Sequence, residues 1–130
     1  MVFPYDIDVG RRLVRITLSG TVEGKDIGDT IQAIFRDPNF RPDFDEIWDG
    51  RTITSLHLDI NDQPNFLKLE RQHSPASGAG RDILLMTREV DLQACHVYAM
   101  RVRAAGGPRQ VHVVRTEQEA ERIVNGPRND

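Results

Sequence analysis

Asp49 and Arg51 stand two residues apart just beyond the apolar pair Ile47-Trp48, so a carboxylate and a guanidinium are presented together where a short strand runs out. Open α/β sheets meet ligands and partners beyond the carboxyl ends of their strands. Thr87 and Arg88 follow the apolar run Ile83 to Met86 in the same way, and Arg115 follows Val113-Val114. Arginine offers a planar fork that pairs with carboxylate or phosphate, so Asp49, Arg51 and Arg115 read either as an ion-pair cluster or as an anion-accepting lip. Thr54 in the following loop and Asp59 at the next helix start extend this rim, Asp59 as a helix cap or a fixed negative charge. On a later helix, Tyr98 and Arg101 border a cavity over the sheet. There they either clamp an acidic head group or act as a core tyrosine beside a solvated arginine.

Bond-making chemistry finds little support. His57, His73, His96 and His112 are scattered rather than grouped at metal-ligand spacing. There is no G-x-S-x-G elbow for a hydrolase nucleophile, and Gly78-Ala79-Gly80 precedes a strand instead of opening a helix, the wrong context for a phosphate loop. Asp49 and Thr87 occupy strand-end positions like those of a phosphoacceptor receiver domain. The acidic metal ligands and lysine of that chemistry are missing: Asp6 and Asp8 sit at the entry of the first strand, and the last strand ends in Arg115.

The 130 residues, 38% hydrophobic and 28% charged, suit one globular domain with a single core. A net charge of -3 with dispersed arginines argues against a general affinity for nucleic acid, which requires concentrated Lys and Arg. The lone Cys95 cannot form an internal disulfide and reads as a half-buried packing residue in a reducing compartment. No apolar stretch approaches the roughly 20 residues that span a bilayer, and the N-terminus lacks a signal pattern, so a cytoplasmic protein without stable membrane insertion is expected.

The elements that must position these groups follow from periodicity. Tyr5, Ile7 and Val9 alternate along a first strand, and Gly10-Arg11-Arg12 turns into a second carrying Leu13, Val14, Ile16 and Leu18, broken by Gly20-Thr21. Ile27, Ile31, Ile34 and Phe35 form a helical stripe from Gly24 or Lys25 to Arg36, stopped by Asp37-Pro38; Phe40 and Phe44 pin the loop that follows. A short third strand around Ile47-Trp48 ends at Asp49-Gly50, with a loop through Ser55. A helix capped by Asp59 carries Ile60, Phe66, Leu67 and Leu69, with Pro64 in its first turn. His73 to Gly80 is a small-residue connector to the fourth strand, Ile83 to Met86. Asp91 caps a helix bearing Leu92, Cys95 and Val102 that ends at Gly106-Gly107; Val111, Val113 and Val114 form the last strand. Thr116-Glu117-Gln118-Glu119 is a capping box opening a final helix with Ala120, Ile123 and Val124 inside, and residues 125–130 form a flexible tail after a domain spanning 1–124.

The resulting order, β-β-α-β-α-β-α-β-α, together with YDIDVGRRLVRITLSG, RDPNFRPDFDEIWDGRTIT and the last strand plus TEQEAERIV, resembles the SpoIIAA-like branch of the STAS (sulfate transporter and anti-sigma factor antagonist) superfamily. The resemblance implies a single-domain α/β fold, a mixed β-sheet covered by about four helices packed mainly on one side. It implies binding of regulatory partners, or in related folds of small lipophilic ligands, rather than turnover. Anti-sigma antagonists carry a phosphorylatable serine near the start of the helix after the third strand. Here His57-Leu58-Asp59-Ile60-Asn61 has no hydroxyl, so control through that site is not expected.

The expectation is a noncatalytic STAS-like regulatory protein-interaction module without a cofactor, its surface formed by Asp49, Arg51, Thr54, Asp59, Thr87, Arg88 and Arg115. The alternative is a carrier of a small lipophilic or acidic ligand, with Phe66, Met86, Tyr98 and Met100 lining an apolar pocket. An enzyme assembled from distant loops is a weaker third. An uncovered sheet edge also admits a homodimer.

Overall fold

Four alternating residues make the first strand, β1 (Tyr5–Asp8), which a tight turn returns antiparallel along β2 (Leu13–Glu23), with Tyr5 opposite Ile16 and Asp8 opposite Leu13. A computed structural model describes residues 1–74 and 79–127. After the hairpin come α1 (Gly24–Arg36), β3 (Asp45–His57), α2 (Asp62–His73), β4 (Arg81–Leu85), α3 (Glu89–Ala104), β5 (Gln110–Val114) and α4 (Glu117–Val124). The sheet order is β1-β2-β3-β4-β5, with β2 to β5 mutually parallel.

Because the parallel strands step across the sheet in one direction, right-handed crossovers deliver α1, α2 and α3 to the same face. That face buries Val14, Ile16, Trp48 and Met86 beneath Ile31 and Ile34 of α1, Phe66 and Leu69 of α2, and Leu92 and Cys95 of α3. Only α4 covers the other face among the described residues, where Leu13, Ile47, Ile83, Leu85 and Val114 meet Ala120. The α/β mixed sheet with four described helices, three on one side, matches the expected architecture.

Several expected boundaries move. Gly20 does not end β2: at φ +67 it lies within the strand, at a register irregularity. Nor does Asp49-Gly50 end β3. Thr17 pairs with Asp49 and Ser19 with Thr52, then Gly20 with Ile53 and Thr21 with Ser55, so β3 takes in one extra residue at each of two bulges. Turn chemistry at Asp49-Gly50-Arg51 is used as a bulge, which bends the strand and re-aims side chains without breaking pairing. Beyond Asp49, where pairing with β4 stops, β2 and β3 continue as a two-stranded overhang. Thr54 belongs to this overhang and not to a loop.

Asp59 is not the cap of α2. It accepts from Asn61 N at 2.8 Å, forming an Asx turn before a helix that starts at Asp62, and Ile60 is 84% exposed instead of buried. Pro64 does fall in the first turn. Asp91 likewise lies inside α3, which starts at Glu89 after Arg88. In α4, Thr116 Oγ1 accepts from Glu119 N at 3.1 Å as expected, but Glu119 reaches back to Arg115 N and not to Thr116 N. Residues 75–78 of the expected connector and 128–130 of the expected tail lie outside the described residues.

Gly80 marks a close approach at the entry of β4. Its N–H donates to Pro42 O at 2.9 Å, and a Cβ there would overlap the Phe44 carbonyl. Backbone cannot swing aside as a flexible side chain can, so Gly80→Ala is expected to lower stability by about 2 kcal/mol, measured by urea denaturation. A midpoint equal to wild type would show that this crossing is loose.

Candidate functional site

The rim forms, though with different partners from those expected. Asp49 Oδ1 accepts from Arg51 Nε at 3.0 Å and Oδ2 accepts from Arg51 Nη2 at 2.8 Å, a bidentate fork. The second cation is Arg15 of β2, whose Nη2 donates to Asp49 Oδ2 at 3.2 Å and whose Nη1 lies 2.8 Å from Glu117 of α4. Hydrogen bonds from Arg51 hold the Asp49 carboxyl below its usual range. Arg115, expected in this group, pairs instead with Glu89 at 2.8 Å, with both side chains more than half exposed. Arg88 donates to Ile53 O at 3.3 Å and lies 3.4 Å from buried Asp91, while Thr87 is exposed. The strand-end charges largely satisfy one another. Exposed pairs of this kind are worth about 0–1 kcal/mol each and act mainly as surface features.

A cavity of about 80 Å³ lies on the other side of the sheet, beneath α2 and α3. Its walls are almost wholly apolar. Trp48, Leu84 and Met86 form the sheet wall; Phe66 of α2 and Cys95 and Tyr98 of α3 close the sides; Ile53 and Leu56 come from the β2–β3 overhang. α2 packs chiefly on α1 and α3 on β5, which leaves a slot between the two helices. The longer β3 is thus what supplies one end of the cavity.

Of the four residues expected to line a pocket, Phe66, Met86 and Tyr98 do so. Met100 is instead 71% exposed on the outer side of α3. Tyr98 and Arg101 do not make a joint clamp. Arg101 is exposed and its Nη1 donates to Gln63 Oε1 at 2.6 Å, tying α3 to α2, and Gln63 is itself a lining residue. Burial pushes the Cys95 thiol up to about 12, which leaves it protonated and poorly nucleophilic.

The polar part of this cavity comes from residues that the spacing of motifs did not single out. Glu70 and Asp82 line it, 5% and 3% exposed, with Glu46 and Arg109 in the same buried group. Arg109 Nε donates to Asp82 Oδ1 at 2.8 Å, and its Nη2 lies 3.3 Å from Glu46 Oε2. The same guanidinium donates to the carbonyls of Pro42 (2.9 Å), Phe44 (2.7 Å) and Arg81 (3.3 Å). Trp48 Nε1 donates to Glu46 Oε1 at 3.0 Å. One cation therefore pairs with two of the three carboxyl groups, and among the described residues Glu70 has no cation at ion-pair distance.

Burial pushes Glu70 up to about 10, reinforced by contact with Asp82, and burial pushes Glu46 up to about 7 against the pull of Arg109. Burial alone would weaken the Arg109 cation, but Asp82 and Glu46 outweigh it and hold the guanidinium charged. At neutral pH Glu70 is a neutral acid. Its Oε2 is buried without a hydrogen-bond partner, a costly state in a protein interior. The period-two pattern contained a clue: Glu46 shares a face with Trp48, and Asp82 with Leu84. Glu70, four residues after Phe66, shares the inner stripe of α2. Nothing comparable pointed to Arg109.

Among the described residues, no three His, Cys, Asp or Glu side chains group so as to hold a metal ion, and no helix is long and apolar enough to cross a membrane. No protein-family model matches the sequence, and no curated protein matches it. The fold is similar to the crystal structure of an uncharacterized protein of the DUF3478 family with a SpoIIAA-like fold, from Shewanella loihica PV-4. The TM-score is 0.54 at 14% identity, over 86% of this chain and 83% of that one. With its antiparallel hairpin, its parallel crossovers and three of its four described helices on one face, this chain has a SpoIIAA-like fold.

Proposed function

We propose that the protein is a noncatalytic STAS-like module that binds a small, mainly apolar ligand in the cavity beneath α2 and α3. One observation carries this reading: an apolar chamber in the core keeps a buried polar atom without a hydrogen-bond partner, Glu70 Oε2, on a lining residue. Apolar walls with few polar groups are the usual form of a small-molecule site. The carboxyl groups at the floor disfavour an acidic head group, and the surface charges expected to recognise partners are already paired.

Ala94 lines the cavity from α3 and is only partly buried, so a larger side chain can fill the space from the helix side. Hexanol, a neutral apolar probe, is expected to bind wild type in a calorimetric titration and Ala94→Phe at least tenfold more weakly, with the variant's melting temperature retained. Equal hexanol affinity in the two proteins, or none in wild type, would end the reading. Native mass spectrometry after gentle purification would then seek a natural occupant.

A second reading, recognition of a regulatory protein at the rim, is supported by the exposure of Arg51, Thr87 and Arg115 at successive strand ends. Crosslinking with Arg51→Ala and Arg115→Ala would test it, and a partner captured unchanged by both variants would remove the rim from consideration.

A further inference from the structure

We infer that the cavity selects a basic amphiphile, an apolar body ending in a primary ammonium group that docks on Glu70 Oε2 and adds a second cation to the three carboxyl groups around Arg109. The inference rests on the small-ligand reading above and names the ligand's chemistry.

Charge and hydrogen-bond accounting lead there together. Glu70 of α2 shares the cavity lining with Asp82 of β4 and Tyr98 of α3, and lies within electrostatic reach of Glu46 of β3 and Arg109 before β5. Asp82 holds the shorter contact to Arg109, at 2.8 Å, and Glu46 receives the longer one, at 3.3 Å, plus the indole N–H. Glu70 has no cation within ion-pair distance among the described residues, and its side chain contacts that of Asp82. Two carboxyl groups in contact share a proton while no second cation lies beside them, because like charges so close do not both ionise unpaired. Glu70 Oε2 is buried without a hydrogen-bond partner, and with the carboxyl proton engaged between Glu70 and Asp82 an oxygen of Glu70 is left to accept, so the missing partner is a donor. A hydroxyl would supply the hydrogen bond alone. An ammonium supplies the bond and, by displacing the shared proton, a cation that pairs with the Glu70 carboxylate left behind, and buried charges are stable only when paired.

The exchange balances simply. An alkylamine is already an ammonium ion at pH 8, as a lysine side chain is. When it docks, the proton held by Glu70 leaves for solvent and the carboxylate that remains pairs with the ammonium. One proton is released per amine bound, and none when an alcohol binds.

Hexylamine, hexanol and hexanoate share a chain length and differ only in the head, so calorimetric titration of all three at pH 8 isolates that chemistry. Hexylamine is expected to bind at least tenfold more tightly than hexanol and hexanoate more weakly than either. Titration in two buffers of different ionisation enthalpy should show about one proton released with the amine. Glu70→Gln, an isosteric neutral side chain, should retain hexanol binding while losing both the amine preference and the proton release. If hexylamine binds no better than hexanol, or releases its proton undiminished from Glu70→Gln, the inference fails while the cavity reading stands. If hexanol does not bind wild type, both fail.

Discussion

Replacing Arg109 with Met is expected to cost about 3–5 kcal/mol of folding stability, the range seen when one partner of a buried ion pair is removed. The residue is 1% exposed, so the loss cannot be made good by water. Its removal leaves Asp82 and Glu46 without their cation and takes donors from three backbone carbonyls at the entries of β3 and β4. A typical domain holds only about 5–15 kcal/mol in total, so the variant is expected to melt far below wild type or fail to accumulate folded. Arg51→Ala provides the contrast. Its ion pair to Asp49 is solvent-exposed on the Arg51 side, and the expected loss is within about 1 kcal/mol. Urea melts of the two variants measure the difference, and near-equal midpoints would show that the buried guanidinium is not the central tie.

Stability is expected to fall as the pH rises from 7 to 9, and Glu70→Gln is expected to flatten that fall. Glu70 has a folded value near 10 against 4.5 when unfolded, so between these values the native state binds more protons than the unfolded chain. Its contribution is complete below about 4.5 and is lost as the pH climbs through about 10, with a slope of up to ~1.4 kcal/mol per pH unit. Glu46 acts in the same direction but completes its change near 7. His112, lowered by burial, acts oppositely below its ordinary 6.5, and Cys95 joins only above its unfolded value of 9.0. The window from 7 to 9 therefore belongs chiefly to Glu70, and subtracting the Glu70→Gln profile removes groups common to both proteins, including the exposed N-terminal amine. Parallel pH profiles for variant and wild type would rule out a proton held at Glu70. Glutamine needs no proton to remain neutral, so the variant should equal or exceed wild type at pH 9.

The bidentate pair of Asp49 and Arg51 was legible because its members are two residues apart, and in a strand that spacing brings side chains to one side. Arg15 and Glu117, which complete the pair's surroundings, come from β2 and α4 and had no local mark. The same contrast runs through the elements. Ile27, Ile31, Ile34 and Phe35 announced α1 and its face, and the final helix was announced by Thr116 and Glu119. Asp49-Gly50 misled because a glycine-containing bend serves a bulge as well as a turn, and only pairing with β2 distinguishes the two. Asp59 and Asp91 misled for a related reason: an aspartate near a helix start suits a cap, a preceding Asx turn or the first turn itself.

From residue types and spacing alone came the order of strands and helices, the hairpin, most of the inward faces, and three of the four residues expected around an apolar pocket. These depend on neighbours a few positions apart, and the backbone's periods of two and 3.6 convert such spacing directly into direction. The tertiary structure decided where the chemistry lies. Glu46, Glu70, Asp82 and Arg109 come from separate segments, and each alone resembles an ordinary solvated charge. Only when α2 and α3 close over β3 and β4 does water leave them, and desolvation then turns one glutamate into a neutral acid with an unmet hydrogen bond.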